Sequence, residues 1–283
     1  MAVLEFLRRK VRPAWTYKVQ GIVWRIVPAD PELIVGESRD IDKKLASFFC
    51  LDEKNGSPLW EGVSFEEKWW IGIEAIHGDR VLLHGFATPD MPAHKGITAL
   101  DVFTGKTAWK NQELSFVRFL DDSVIASRST MDGGSFLELD GRSGRILSDD
   151  LEGFRYSENV TLQPRDTSLT FPVPLTAVSE RGAIIVQKHM PQEEIIGDAE
   201  VIENDTLLLL GYHKHPVTGG GEVSITDVLR VIDCDKNEIV YSDTLSSGAS
   251  QIVPDMFFTR NGKLFYVKNR SELVAVRLDD LRR

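Results

Sequence analysis

The sequence predicts an all-β protein, a β-propeller of about six four-stranded blades with five as the alternative. Three observations carry that prediction. A short pattern recurs along the chain, a second hairpin stands upstream of most copies, and the two together repeat roughly every 40 to 50 residues, the length of a propeller blade. The pattern is clearest in "LDVFTGKTAW" from Leu100 and "LDEKNGSPLW" from Leu51. It is looser in "LDGRSGRILS" from Leu139 and "IDCDKNEIVY" from Ile232, and a shortened copy, "VRLDDLRR", starts at Val276.

Each position of the pattern has a physical task. An apolar strand ends on Asp52, Asp101, Asp140 or Asp233, whose carboxylate can accept the free N–H groups of a turn. Four residues on stand Gly56, Gly105, Gly144 and Asn237, residue types that tolerate the positive φ of a bulged hairpin turn. Another four residues on, Trp60, Trp109 and Tyr241 supply a large flat ring to fill the space between neighbouring sheets. The anchors Asp52, Asp101, Asp140, Asp233 and Arg277 are 49, 39, 93 and 44 residues apart. The wide interval is expected to hide a degenerate copy, best placed at "LTAVSERGAIIV" with Val178 and Ser179 at the anchor. If 151–195 is instead an insertion, the blades number five. The upstream hairpins turn at Gly78–Asp79, Asp121–Asp122, Asn204–Asp205 and Asn261–Gly262, the last being the strongest hairpin signal in the chain. The last unit ends after its third strand near Asp279, so the N-terminal strand in "PAWTYKV", with Trp15 at the ring position, is expected to close the last blade and remove two sheet edges. The whole of 1–283 reads as one propeller domain, with 1–14 a short terminal helix or tail.

Charge and cysteine content narrow the function classes. The formal net charge of -10 and sequence pI near 5.2 argue against nucleic acid and anionic membrane surfaces as partners. Two cysteines far apart, Cys50 and Cys234, do not make a secreted disulfide framework. The N-terminal run "MAVLEFLRRKVRPAW" is too short and wrongly charged for a signal segment, and no apolar run is long enough for a membrane span. A cytoplasmic protein without membrane insertion is expected.

The stretch "ALDVFTGKTAW" resembles the repeat of the quinoprotein-type, or PQQ-like, β-propellers through Ala99, Asp101, Thr104, Gly105, Lys106 and Trp109. Leu51, Asp52, Gly56 and Trp60 match that repeat in part, and the likeness fades over the rest. The chain is also similar to the bacterial propeller family DUF4905, a resemblance that implies no activity. The quinoprotein dehydrogenases carry, besides the repeat, about eight blades, a periplasmic signal, a disulfide of neighbouring cysteines and a calcium site. This sequence has no adjacent cysteines and too few units, and no signal is read in it, so the resemblance implies the scaffold and not the enzyme. No cofactor is expected, PQQ included.

Candidate chemistry is confined to three segments read as long loops between second and third strands: "GESRDIDKKLAS" from Gly36, "GFATPDMPAHKG" from Gly85 and "GYHKHPVTGGGEVSIT" from Gly211. On an extended strand His213 and His215 share a face, and His84 and His94 occupy the matching place in the second unit, so these four are the metal or ligand candidates. Asp40 and Asp42, if that segment is extended, could offer carboxylates to calcium. "KWWIG", with Trp69 and Trp70, offers either a stacking surface for a sugar or peptide or an interblade packing pair. No GxSxG, HExxH, CxxC or phosphate-loop signature is present. The leading expectation is a non-catalytic scaffold that binds a protein, peptide or small ligand at the channel mouth. The alternative is a metal-dependent hydrolase or lyase with a histidine-lined site.

Overall fold

The computed structural model describes residues 11–88, 91–130, 133–149, 151, 168–190, 195–215, 224–249 and 256–282. The chain divides into two compact units, Val19–Thr161 and Met1–Lys18 with Leu162–Arg283. The first holds three antiparallel four-stranded sheets in which sequence order is spatial order. They are β2 (Ile22–Ala29), β3 (Leu33–Asp40), β4 (Leu45–Asp52) and β5 (Pro58–Val63); β6 (Ile71–His77), β7 (Arg80–Thr88), β8 (Met91–Asp101) and β9 (Thr107–Asn111); and β10 (Ser115–Leu120), β11 (Ser123–Thr130), β12 (Gly133–Asp140) and β13 (Ile146–Ser148). The second unit holds a five-stranded sheet of β14 (Val173–Pro174), β15 (Ile195–Glu203), β16 (Leu207–Lys214), β17 (Ile225–Asp233) and β18 (Glu238–Ala249), with helix α1 (Glu180–His189) between its first two strands. It also holds a four-stranded sheet in which β1 (Trp15–Lys18) pairs with β21 (Glu272–Arg277), followed by β20 (Lys263–Lys268) and β19 (Phe257–Arg260).

The pattern residues act as expected. The Asp101 carboxylate accepts the N–H of Phe103 and Thr104, and that of Asp52 accepts the N–H of Lys54 and Asn55. Gly56, Gly105, Gly144 and Asn237 all have positive φ. The two tryptophans dock one sheet on the next. Trp60 Nε1 donates to the Val102 carbonyl at 2.7 Å and Trp109 Nε1 to that of Gly141 at 2.9 Å. Each ring lies flat over the next turn's glycine, where a Cβ on Gly105 or Gly144 would stand only 2.7 or 2.6 Å from it. Around these docks lie two cores of the first unit, one with Val35, Phe48, Ile73, Leu83 and Leu100, the other with Leu82, Ala99, Val124 and Leu137. Period-two alternation explains how Leu82 and Leu83 serve opposite faces of one sheet. In the second unit Tyr241 takes the ring position, its hydroxyl 2.7 Å from that of Tyr266, which donates to Asp243. The N-terminal strand completes the last sheet with the register Trp15↔Ala275 to Lys18↔Glu272.

Two expectations are corrected. The structure contains five sheets, not six, among the described residues. The degenerate copy at 175–186 is a helix: Ser179 is its N-cap and accepts the Gly182 N–H. Gly182 is there because the Glu203 carboxylate, which accepts the N–H and Oγ–H of Ser179, lies 2.8 Å from where a Cβ would stand. Ile185 and Val186 of this helix cover the Val201, Leu208, Leu210 and Tyr212 face of the sheet. Helical i, i+3, i+4 spacing of apolar residues over so short a span is easily read as a strand. Most of the 1–14 segment lies outside the described residues. Among them, no helix is long and apolar enough to cross a membrane.

Candidate ligand and metal site

The segments from Gly36 and Gly85, read as long loops, are largely strand among the described residues, and that from Gly211 begins as strand. β3 continues to Asp40, β7 to Thr88 and β16 to Lys214. Glu37, Arg39 and His213 stay in the strands because they find partners, and burial of a polar group costs little once it is hydrogen-bonded. The register shows where they stand. β3, β7 and β16 start opposite their anchors, in the pairs Leu33↔Asp52, Arg80↔Asp101 and Leu207↔Asp233. Four residues along are Glu37 and His84, and six along are Arg39, Phe86 and His213. Positions four and six share a face, so the far ends of these second strands carry buried polar and aromatic groups.

In the first sheet Glu37 and Arg39 are buried together at 2.5 Å. Arg39 also donates to the carbonyls of Trp69 and Ile71, and its guanidinium lies 5.5 Å from the Trp24 ring centre and 5.0 Å from that of Trp69. Glu37 accepts the Ile73 N–H. The connection from β5 to β6 is therefore held tightly. The Glu67 carboxylate accepts the N–H of both Trp69 and Trp70, which keeps it below its ordinary range, and the Lys68 carbonyl accepts the Ala46 N–H. Trp69 is absorbed by Arg39. Trp70 is not: its indole is 40 % exposed, with its edge against Phe86 at 5.7 Å. It lines a cavity of about 770 Å³ together with Phe65, Phe86, Lys95, Lys110 and Gln112.

On the other side of Phe86 the second sheet brings His84 and His94 together. Their rings stack at 3.5 Å, 5° from parallel, and the edge of Phe86 meets both. Glu74 Oε2 lies 2.9 Å from His84 Nδ1 and 2.7 Å from His94 Nδ1. Burial pushes the Glu74 carboxyl up, but the two imidazoles beside it outweigh that, and the net shift is downward. Two bulges make this meeting. Glu74 is the extra residue between Ile73↔Leu83 and Ala75↔Leu82. Gly96, at φ +85°, is the extra residue where the register changes from His84↔Ile97 to Gly85↔Lys95. Each bulge moves one side chain across to the face it would otherwise miss. Among the described residues, Glu74, His84 and His94 form the one group of three able to hold a metal ion.

The other candidates do not converge. His213, in the second unit, is buried and its Nδ1 is 2.7 Å from Asp227, whose second oxygen accepts the Ser246 hydroxyl. With the carboxylate in the middle, the serine does not meet the imidazole and this is not the serine–histidine–aspartate order of a nucleophilic triad. His215 stands exposed just beyond β16. Asp40 ends β3 and the chain turns after it, so Asp40 and Asp42 share no extended face. Asp40 instead accepts from the Nζ and N–H of Lys43, which lower its pKa. Part of the segment from Gly211 lies outside the described residues. Cys50 and Cys234 are free thiols, and burial pushes Cys50 up to about 12, so it is inert.

A model of the family Domain of unknown function (DUF4905) matches residues 28–109, which contain β3 to β8 and the Glu74 group. The Protein-export membrane protein SecD of Haloquadratum walsbyi (strain DSM 16790 / HBSQ001) is 25% identical over 155 residues, 52% of this chain. The chain spans about a quarter of that protein's length. Among solved structures, an uncharacterized protein from Listeria monocytogenes EGD-e is 10% identical with a TM-score of 0.36, covering 93% of this chain and 97% of its own. A eukaryotic initiation factor is 12% identical with a TM-score of 0.35, over 92% of this chain and 53% of its own. The β-propeller domain of the Trilobed protease from Pyrococcus furiosus is 13% identical with a TM-score of 0.33, over 87% of this chain and 78% of its own.

Proposed function

We propose that the five sheets are blades of one β-propeller with PQQ-like repeats, and that the protein is a non-catalytic scaffold that binds a small polar ligand with a flat face, a sugar ring, against Trp70. The single observation that carries this reading is the presentation of Trp70. An exposed indole on a segment fixed by Arg39, Glu67 and Ala46 loses little conformational freedom on binding, which is what a preorganised anchor requires. The cavity has the size and mixture of a small-molecule site, with aromatic walls from Phe65 and Phe86 and hydrogen-bonding edges from Lys95, Lys110 and Gln112. The Asp, Gly and Trp docking geometry and the completion of the last sheet by β1 support the propeller reading. The two free thiols fit a reducing, cytoplasmic compartment.

Isothermal titration against glucose, galactose, xylose, maltose and cellobiose tests the reading. Saturable binding of at least one sugar that Trp70→Ala abolishes supports it, and no heat from any of them at millimolar concentration overturns it. A second reading, a metal-dependent hydrolase or lyase, is favoured by the Glu74 group beside the same cavity wall; release of product from a p-nitrophenyl ester or glycoside, lost in Glu74→Gln, distinguishes it.

A further inference from the structure

We infer that Glu74, His84 and His94 form a binding site for a divalent transition metal ion, of which zinc is the best match. The inference does not depend on a ligand in the Trp70 cavity. Two imidazole nitrogens and one carboxylate oxygen are the donor set of borderline cations such as zinc, and unlike the all-oxygen set of calcium or magnesium. The donor atoms all lie within 4.8 Å of one another. Around a tetrahedral zinc, with metal–ligand distances of about 2.0–2.1 Å, neighbouring donors stand roughly 3.3 Å apart. Glu74 Oε2 therefore has to move outward by about half an ångström from its 2.9 and 2.7 Å contacts, and the exposed His94 ring has to swing out of its parallel stack on His84 so that the two in-plane Nδ1 lone pairs converge on the ion.

A second observation points to a ligand. His84 is only 8 % exposed, and its Nδ1 is buried without an aligned hydrogen bond even though Glu74 Oε2 is 2.9 Å away. A buried ring nitrogen near a carboxylate but out of line with it is costly if its role is structural. An ion between nitrogen and oxygen removes that cost. The surroundings are built to the same end. Gly72, paired with His84, lacks the Cβ that would sit 3.2 Å from His84 Cε1 and Nε2, so the ring can rest on the backbone. Phe86 walls both rings. The Glu74 and Gly96 bulges are independent distortions of one sheet, and both are needed to bring the three donors to one face. Three protein donors leave a fourth position for water or a ligand atom.

Metal and protons compete for the same ring nitrogens, so weaker binding is expected at pH 5.5 than at pH 7.5. The test is titration of the chelator-stripped full chain with zinc by calorimetry and with cobalt(II) by visible absorption, at pH 7.5 and 5.5. One equivalent is expected to bind with a Kd of about 10 μM or tighter at pH 7.5. His94→Gln, at an exposed position, and the isosteric Glu74→Gln are each expected to weaken binding by at least about tenfold, with circular dichroism unchanged, and His215→Gln to leave it intact. Absence of saturable binding up to millimolar metal overturns the inference. So does unaltered affinity in folded His94→Gln and Glu74→Gln, or loss of binding in His215→Gln alone.

Discussion

Single residues hold the sheets together at defined points, and the docking tryptophans are the sharpest of them. Trp109→Ala removes a buried ring and leaves the Gly141 carbonyl without its donor. We expect a loss of about 3–5 kcal/mol in urea unfolding. Gly144→Ala puts a Cβ 2.6 Å from that ring at φ +69°, and a cost of about 1–3 kcal/mol is expected from the backbone alone. The turn carboxylates make a pH prediction. Asp140 is lowered by the hydroxyl and N–H of Ser143, and Asp233 chiefly by the N–H of Lys236. A carboxylate with a depressed folded pKa contributes stability that is present above its ordinary value of 3.8 and lost as pH falls through the folded value. Melting temperatures between pH 6 and 2 should therefore show the gap between the wild type and Asp140→Ala closing toward the acid end; a constant gap contradicts this account of the turn. At this scale the sequence is readable, because Asp, Gly and Trp each have one task set by local geometry. Glu74 and Arg39 escape such reading, since their meaning lies in partners on other strands.

Elements are where legibility divides. The hairpin turns at Gly78, Asp121, Asn204 and Asn261 stand as read, because turn chemistry is local. The strand ends do not. Polar stretches such as "GESRD" read as loop by composition, yet they are strand, because Glu37, Arg39 and His213 are satisfied by one another or by nearby groups in pairs no linear pattern displays. Gly96 inside β8 is the clue that was available, since an isolated glycine in a strand marks a bulge. Helix α1 is misread because Gly182 resembles a turn glycine, while its reason is the approach of Glu203. Ser179→Ala removes the cap and a bond to Glu203 and should cost about 1–2 kcal/mol in thermal or urea unfolding. β1 is held by its pairing with β21, the burial of Trp15 against Phe265 and the Lys18–Glu272 pair. Deleting residues 1–18 should lower the melting temperature and expose β21 as an aggregation-prone edge, visible by light scattering.

At the scale of the whole molecule, the repeat supplies walls and the variation between repeats supplies chemistry. Positions four and six of the second strand are Glu37 and Arg39 in one sheet, His84 and Phe86 in the next, and His213 at position six in a third. A scaffold that keeps its turn and docking residues while varying these strand ends can carry a site without altering the fold. The candidate site was legible in the sequence as four histidines, two aspartates, Asp40 and Asp42, and a tryptophan pair. The structure keeps two of the histidines together, gives them Glu74, and separates Trp69, which is absorbed in packing, from Trp70, which is presented.

If Trp70 anchors the ligand, the indole region of a ¹H–¹⁵N NMR spectrum reports it. On titration with the sugars named above, the Trp70 Nε1–H signal, assigned from Trp70→Phe, should shift and saturate while those of the docking residues Trp60 and Trp109 stay in place. Saturable shifts confined to other tryptophans, or no indole shift with any sugar, would contradict the account.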